Sequence, residues 1–184
     1  MSLSEKVALV VLATILPIGG AVAADLITVP TSTSPVEMPI YDSVAFDWTG
    51  FYAGVNGGAQ NGLTSGTQYG LGVQAGVNAQ FDFYLLGAEV AVHGLTGGPA
   101  TETSYGQILG RAGLVVSDDV LVYAAGGYGL DLGPPDEQDL LLGGGVELAV
   151  TDSISVDAQY LHGVPLNGSA NTKDQFTLGA NFHF

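Results

Sequence analysis

Tyr69-Gly70-Leu71-Gly72-Val73-Gln74-Ala75-Gly76-Val77-Asn78-Ala79-Gln80-Phe81 decides the fold. The odd positions are Tyr, Leu, Val, Ala, Val, Ala and Phe. The even positions are Gly, Gly, Gln, Gly, Asn and Gln. Side chains of an extended chain alternate between two faces, so this is a strand with one apolar and one polar side. A helix needs apolar residues three and four positions apart, and a spacing of two does not supply them.

The same period runs outward from this stretch in both directions. Phe51, Ala53, Val55 and Ala59 face away from Tyr52, Asn56 and Gln60, and Leu86, Ala88, Val90 and Val92 oppose Glu89 and His93. Ile108, Ala112, Leu114 and Val116 oppose Gln107 and Arg111. Leu140, Leu142, Val146 and Leu148 oppose Glu147. Ile154, Val156, Ala158 and Tyr160 oppose Ser155, Asp157 and Gln159. Phe176, Leu178, Ala180, Phe182 and Phe184 oppose Gln175, Thr177, Asn181 and His183. Leu121 to Leu130 is apolar on both faces, so alternation leaves its register open. The sum is eight strands of roughly ten residues, the length a tilted strand needs to cross a bilayer.

Composition agrees with a lipid environment. Of 184 residues 47% are hydrophobic and only 11% charged, less than half of what soluble domains carry (about 25%). The 28 glycines are about twice the ordinary share, with no collagen-like period. Three Lys+Arg against 18 Asp+Glu leave a net charge of −15, which excludes nucleic acid as a partner because phosphates cannot be neutralised. With no Cys, disulfides and thiolate chemistry are excluded. A soluble ligand-carrying barrel would have to show water its Gly-, Gln- and Asn-rich face, which carries very few charges.

Residues 1–24 read as a secretory signal peptide: Lys6 near the start, an apolar run from Val7 to Ile18, then small residues at Ala21-Val22-Ala23-Ala24. The run is too short for a spanning helix. Residues 25–47, with Pro30, Pro35 and Pro39 among Ser and Thr, read as a poorly ordered N-terminal tail outside the folded unit. Residues 48–184 are the barrel.

The connections fall into two kinds. Those around Asp82, at Ser117–Asp119 and at Thr151–Ser153 are tight, whereas 61–68, 94–104, 131–138 and 163–173 are longer and rich in Gly, Pro, Asn, Ser and Thr. Outer-membrane barrels keep short turns in the periplasm and longer loops outside, which would place both termini and the tail in the periplasm. Aromatic residues at strand ends are expected to form two girdles at the headgroup level. Trp48, Phe51, Phe81, Phe83, Tyr84, Phe182 and Phe184 would mark one; Tyr69, Tyr105, Tyr128 and Tyr160 the other.

An eight-stranded barrel is just wide enough for side chains to fill. The inward positions carry Gln74, Asn78, Gln80, Glu89, His93, Arg111, Glu147, Asp157, Gln159, Asn181 and His183, which must pair with one another or with trapped water. Arg111 is expected to be the only cation in the wall and to pair with Glu89, with Glu147 and Asp157 within its reach. That arrangement makes a structural plug; the same groups spread apart would line a narrow, cation-preferring pore.

Phe46-Asp47-Trp48-Thr49-Gly50-Phe51-Tyr52-Ala53-Gly54-Val55-Asn56-Gly57-Gly58, following a signal peptide and a Pro-containing stretch, resembles the opening of the opacity-like surface-antigen porins of Gram-negative outer membranes. The likeness continues through Tyr123-Ala124-Ala125-Gly126-Gly127-Tyr128-Gly129 to the terminal Phe184. It implies an eight-stranded barrel serving as an envelope protein, antigen, adhesin or minor porin, in contact with outer-membrane lipid and lipopolysaccharide. It also implies that Phe176, Leu178, Phe182 and Phe184 carry the signal read by the barrel-assembly machinery. The outer loops are short for this family, and since loops carry recognition, an adhesin role transfers weakly. A surface or periplasmic protein partner would fit such a role.

Enzymatic and metal chemistry find little footing. His162 points outward near the outer rim, where a lipid-modifying enzyme would work, but no serine occupies a matching outward position and Ser155 faces inward. Asp131, Asp136, Glu137 and Asp139 form the densest acidic run, of the oxygen-donor type that binds Ca²⁺. Their spacing matches no EF-hand loop, and a solvated acidic loop is the expectation. No cofactor is expected, because the Gly-rich runs lack the Lys-Ser/Thr and helix of a nucleotide loop.

Overall fold

The computed structural model describes residues 45–63, 66–97, 103–133, 138–166 and 171–184. Eight strands follow in chain order: β1 (Gly50–Gly62), β2 (Gly66–Phe81), β3 (Tyr84–Thr96), β4 (Thr103–Ser117), β5 (Val120–Asp131), β6 (Gln138–Thr151), β7 (Ile154–Pro165) and β8 (Lys173–His183). Each pairs antiparallel with the next, and β8 returns to β1, closing an up-and-down barrel with no open edge. The seam is drawn tight by a reciprocal pair of backbone bonds, Phe51 N–H to Phe184 O (3.2 Å) and Phe184 N–H to Phe51 O (2.9 Å).

Two-residue turns join β2 to β3, β4 to β5 and β6 to β7. Asp82 takes the left-handed conformation in the first (φ 58°), which an Asp side chain tolerates. Bulges between Val115 and Ser117 and between Ala149 and Thr151 precede the other two. The strands run from 11 to 16 residues, longer than the ten expected. The ladder continues into the Gly-, Ser- and Thr-rich ends that composition alone assigns to loops. Small polar residues are compatible with a strand wherever a neighbouring strand offers backbone partners.

Alternation sorts the wall into two faces. Leu71, Val73, Val90, Ile108, Leu142, Val146, Leu178 and their like are exposed outward, and the even positions of β2 turn in. On β5 the register is settled: Leu121, Tyr123 and Ala125 face the interior while Val122 and Tyr128 face out. The lumen is more apolar than the polar positions alone imply. Leu85, Leu109, Leu121, Leu141 and Leu161 are buried in it, each at a position whose strand neighbours two away are polar or small.

Several expectations are corrected here. Trp48 and Tyr105 are not girdle residues: both are buried inside, at 0% and 1% exposure. Trp48 closes one mouth, and Tyr105 donates to Asp139 Oδ2 (2.9 Å) near the other. The folded unit begins before position 48, because Phe46 is buried against the Trp48 ring (centroids 4.6 Å apart). Arg111 is not the only cation in the wall, since Lys173 opens β8 with its ammonium buried. Asp139 sits inside the barrel on β6, not in a solvated loop. Phe51, Phe81, Phe83, Tyr84, Phe182 and Phe184 are exposed at the short-turn end, and Tyr69, Tyr128 and Tyr160 are exposed toward the long-loop end.

Two inward tyrosines fit because glycine stands opposite each. Tyr52 pairs with Gly76 and Tyr123 with Gly145. A Cβ on Gly145 would lie 2.6 Å from the Tyr123 hydroxyl and 2.5 Å from the backbone oxygen of Ala158, so neither ring nor strand could stay in place. Gly145→Val is therefore expected to destabilise the barrel by about 1–3 kcal/mol through overpacking, read as a lower urea midpoint in micelles. An unchanged midpoint would show that the ring has room to move.

Candidate functional site

Arg111 stands at the centre of the lumen, 3% exposed. Its Nη2 donates to Glu147 Oε2 at 2.6 Å, and its Nη1 donates to Tyr52 Oη at 2.6 Å and to Glu89 Oε2 at 3.3 Å. The Tyr52 hydroxyl in turn donates to Glu89 Oε2 (2.6 Å). Glu89 lies diagonal to Arg111, since Arg111 faces Gly87 and Glu89 faces Leu109 in the β3–β4 register. Glu147 is a strand further away, beyond β5. The reach is possible because Ala125, opposite Arg111 on β5, is small. The Tyr123 ring supplies the floor, its centroid 3.9 Å from Arg111 Cζ. A desolvated guanidinium over an aromatic face gains electrostatic attraction in addition to its ion pairs.

From this centre a chain of carboxamides runs around the wall. Asn181 Nδ2 donates to Glu147 Oε1 and to Asp157 Oδ1, both at 3.1 Å. Gln74 Nε2 donates to Asn181 Oδ1 (2.6 Å) and to Asp157 Oδ1 (3.3 Å), and Asn56 Nδ2 donates to Gln74 Oε1 (2.5 Å). Gln159 Nε2 donates to the Tyr123 hydroxyl (3.3 Å). Expected residues Arg111, Glu89, Glu147, Asp157, Gln74 and Gln159 thus meet in one network. His93 does not: it is buried above it with neither ring nitrogen bonded to a protein atom.

Sequence reasoning left out the contributions of Tyr52, Tyr123 and Ser155. Ser155 Oγ donates to Glu147 Oε1 (2.5 Å) and lies 2.8 Å from His183 Nε2. Having one proton, already given to the carboxylate, the hydroxyl must accept from His183, which therefore carries its proton on Nε2. This is a serine, a histidine and a carboxylate in contact, but not a nucleophile activated by a base. In a hydrolytic triad the histidine takes the serine proton, whereas here it donates its own proton to the serine oxygen.

A second cluster closes the long-loop end. Lys173 Nζ donates to Asp131 Oδ2 and Asp139 Oδ2, each at 2.9 Å, below the Tyr105 ring. The cation that Asp131 and Asp139 balance is the chain's own ammonium. Asp136 and Glu137 lie outside the described residues. Among the described residues no group of three or more His, Asp or Glu is placed to hold a metal ion.

On the outer wall His162 Nδ1 is 2.8 Å from Asp174 Oδ1, directly across β7 and β8, and the Tyr160 hydroxyl donates to the same oxygen (2.6 Å). The pair is exposed, and no serine joins it among the described residues.

An outward apolar wall around a closed, polar-centred barrel is the inverse of a water-soluble barrel. A family model described as the outer membrane protein beta-barrel domain matches residues 29–184, most of the chain. The chain belongs to that family. Membership places it in the bacterial outer membrane, and the eight-stranded topology is the one the family implies. No curated protein matches the chain. Among solved structures it is similar to Neisserial surface protein A, at 18% identity and a TM-score of 0.53, covering 74% of this chain and 98% of that one. It is similar also to Ail, the attachment invasion locus protein of Yersinia pestis (13%, 0.53, 73% and 96%). The N-terminal β-barrel domain of Pseudomonas aeruginosa OprF resembles it at 11% identity and a TM-score of 0.52, over 72% and 97%. At these identities the likeness is one of fold.

Proposed function

We propose that this outer-membrane barrel is a structural, non-conducting envelope protein that presents its four longer connections at the cell surface. Its short-turn end would face the periplasm, with residues 1–24 removed on export. The observation that carries this reading is the Arg111 network, which bridges from β3 through β4 to β6 and on to β7, β8, β2 and β1 across the middle of the lumen. A buried guanidinium held by two carboxylates and a phenol does not leave a water-filled path beside it unless the pairs break. The cavity above it, bounded by Gly58, Gln60, Gly70, His93, Leu95, Gln175 and Thr177, measures about 10 Å³, room for one water molecule. The unpartnered atoms of Gln60 and His93 give such a water something to bind.

The arrangement also argues against catalysis in the lumen, because Ser155 is fully buried and points its proton at Glu147. Lipopolysaccharide contact would rest on the apolar belt and on divalent ions, since Arg111 and Lys173 are both turned inward and paired. The outward residues Phe176, Leu178 and Phe182 on the last strand, with Phe184 directly after it, suit recognition by the assembly machinery.

Single-channel recording in a planar bilayer tests the reading. The refolded chain is expected to be silent, and Arg111→Ala, which breaks the pairs that hold the network, is expected to unfold at a lower temperature in micelles. Stable cation-selective steps from the unaltered protein would overturn the structural reading in favour of a narrow pore.

A further inference from the structure

We propose that residues 45–49 are a releasable strap, lying across the short-turn mouth and sealing the Arg111 network from solvent on that side.

Three observations carry it. First, the segment crosses the opening. It leaves β1, yet the Phe46 N–H reaches the carbonyl of Asp118 (3.3 Å) in the β4–β5 turn, on the opposite side of an eight-strand circle. Second, it has a seat. The Phe46 and Trp48 rings meet the His183 imidazole edge-on, with centroids 5.0 and 5.9 Å away, and Tyr52 stacks on the same imidazole at 5.5 Å. Behind His183 lie Ser155, Glu147 and Arg111, linked by the contacts already described. A strap lifted from His183 would therefore let water reach the end of that chain.

Third, the attachment is built to give way at one end and hold at the other. The inner end is fixed to β2, where Gln80 N–H donates to Thr49 Oγ1 (3.2 Å), and is stiffened by the local bond from Thr49 N–H to Asp47 Oδ1 (2.9 Å). Next to it, Gly50 takes φ +139°, a conformation that other residues rarely adopt, and a Cβ there would sit 3.1 Å from the Phe184 carbonyl oxygen. The proposed hinge is there. The far end is held by ring contacts and one long backbone bond. The indole N–H of Trp48 is buried with no protein acceptor, so the closed position forgoes a hydrogen bond that water would supply on release.

The chain contains one tryptophan, so its intrinsic fluorescence reports the strap directly. The experiment is emission and acrylamide quenching of the full chain refolded in micelles, for the unaltered protein and for Phe46→Ser, with heat-modifiable gel mobility run on both. The unaltered protein is expected to emit in the blue and resist quenching. Phe46→Ser is expected to shift emission to the red and raise the quenching constant severalfold while the gel shift of an intact barrel persists. A second variant, Gly50→Val, is expected to give the same red shift, because valine does not hold the φ that seats the strap. Trp48 readily quenched in the unaltered protein would mean there is no seat. Trp48 equally protected in both variants would mean the strap does not release, and loss of the gel shift in both would make the segment ordinary core; each of these overturns the proposal.

Discussion

Arg111→Met is expected to cost the barrel on the order of 3–5 kcal/mol in micelles, because it strands two buried carboxylates at once. Glu89 and Glu147 are 4% and 0% exposed, and Arg111 supplies the cation to both. Methionine fills the space of the stem and can still lie on the Tyr123 ring, so the loss isolates the charge. The control is a double variant. Arg111→Met with Glu147→Gln removes a charge that the single variant abandons, and it should recover part of the loss even though a second native group has gone. Recovery follows from the asymmetry of buried ion pairs: breaking one is costly, whereas neutralising both partners is close to neutral. Urea unfolding followed by tyrosine and tryptophan emission measures both. A single variant within about 1 kcal/mol of the unaltered protein would show that water reaches the network and screens it.

The period of two made the barrel legible, and parity was the part of that signal most easily underused. Positions 46, 48 and 52 share parity with Asn56 and Gln60, so the alternation that turned Asn56 inward also turns Phe46 and Trp48 inward. For Trp48 the amphipathic ring chemistry points to a girdle, while its position in the alternation points inward, and position prevails. Tyr105 follows the same logic, sharing parity with Gln107, Leu109 and Arg111. Lys173 shares parity with Gln175 and Thr177, which a strand boundary drawn after it concealed. The partners of Arg111 were partly legible. Glu89 lies on the adjacent strand at a height that can be counted from the turns. Glu147 lies beyond β5, and its contact depends on stagger around the barrel and on Ala125 leaving a gap, which no alternation along one strand encodes. The inward tyrosines show the same limit. Gly76 and Gly145 read as a weak spot in a strand until the ring that occupies each is known.

Lys173→Met is expected to produce the other large loss, at the opposite end of the lumen. Asp139 is fully buried, and its Oδ2 receives both the ammonium of Lys173 and the Tyr105 hydroxyl. Asp131, partly open at the end of β5, receives the same ammonium. Removing the cation leaves Asp139 with a neutral donor only, and the cost of an uncompensated buried charge is again about 3–5 kcal/mol. Because Asp131 can turn to water and Asp139 cannot, the two carboxylates should behave differently as second-site changes. Lys173→Met with Asp139→Asn should regain much of the loss, while Lys173→Met with Asp131→Asn should regain little. The clusters around Arg111 and Lys173 share no residue, so combining Lys173→Met with Arg111→Met should give losses that add. Urea midpoints for the four variants decide the matter. Equal rescue by Asp131→Asn and Asp139→Asn would mean that both carboxylates are wet, and that the long-loop mouth is open to solvent.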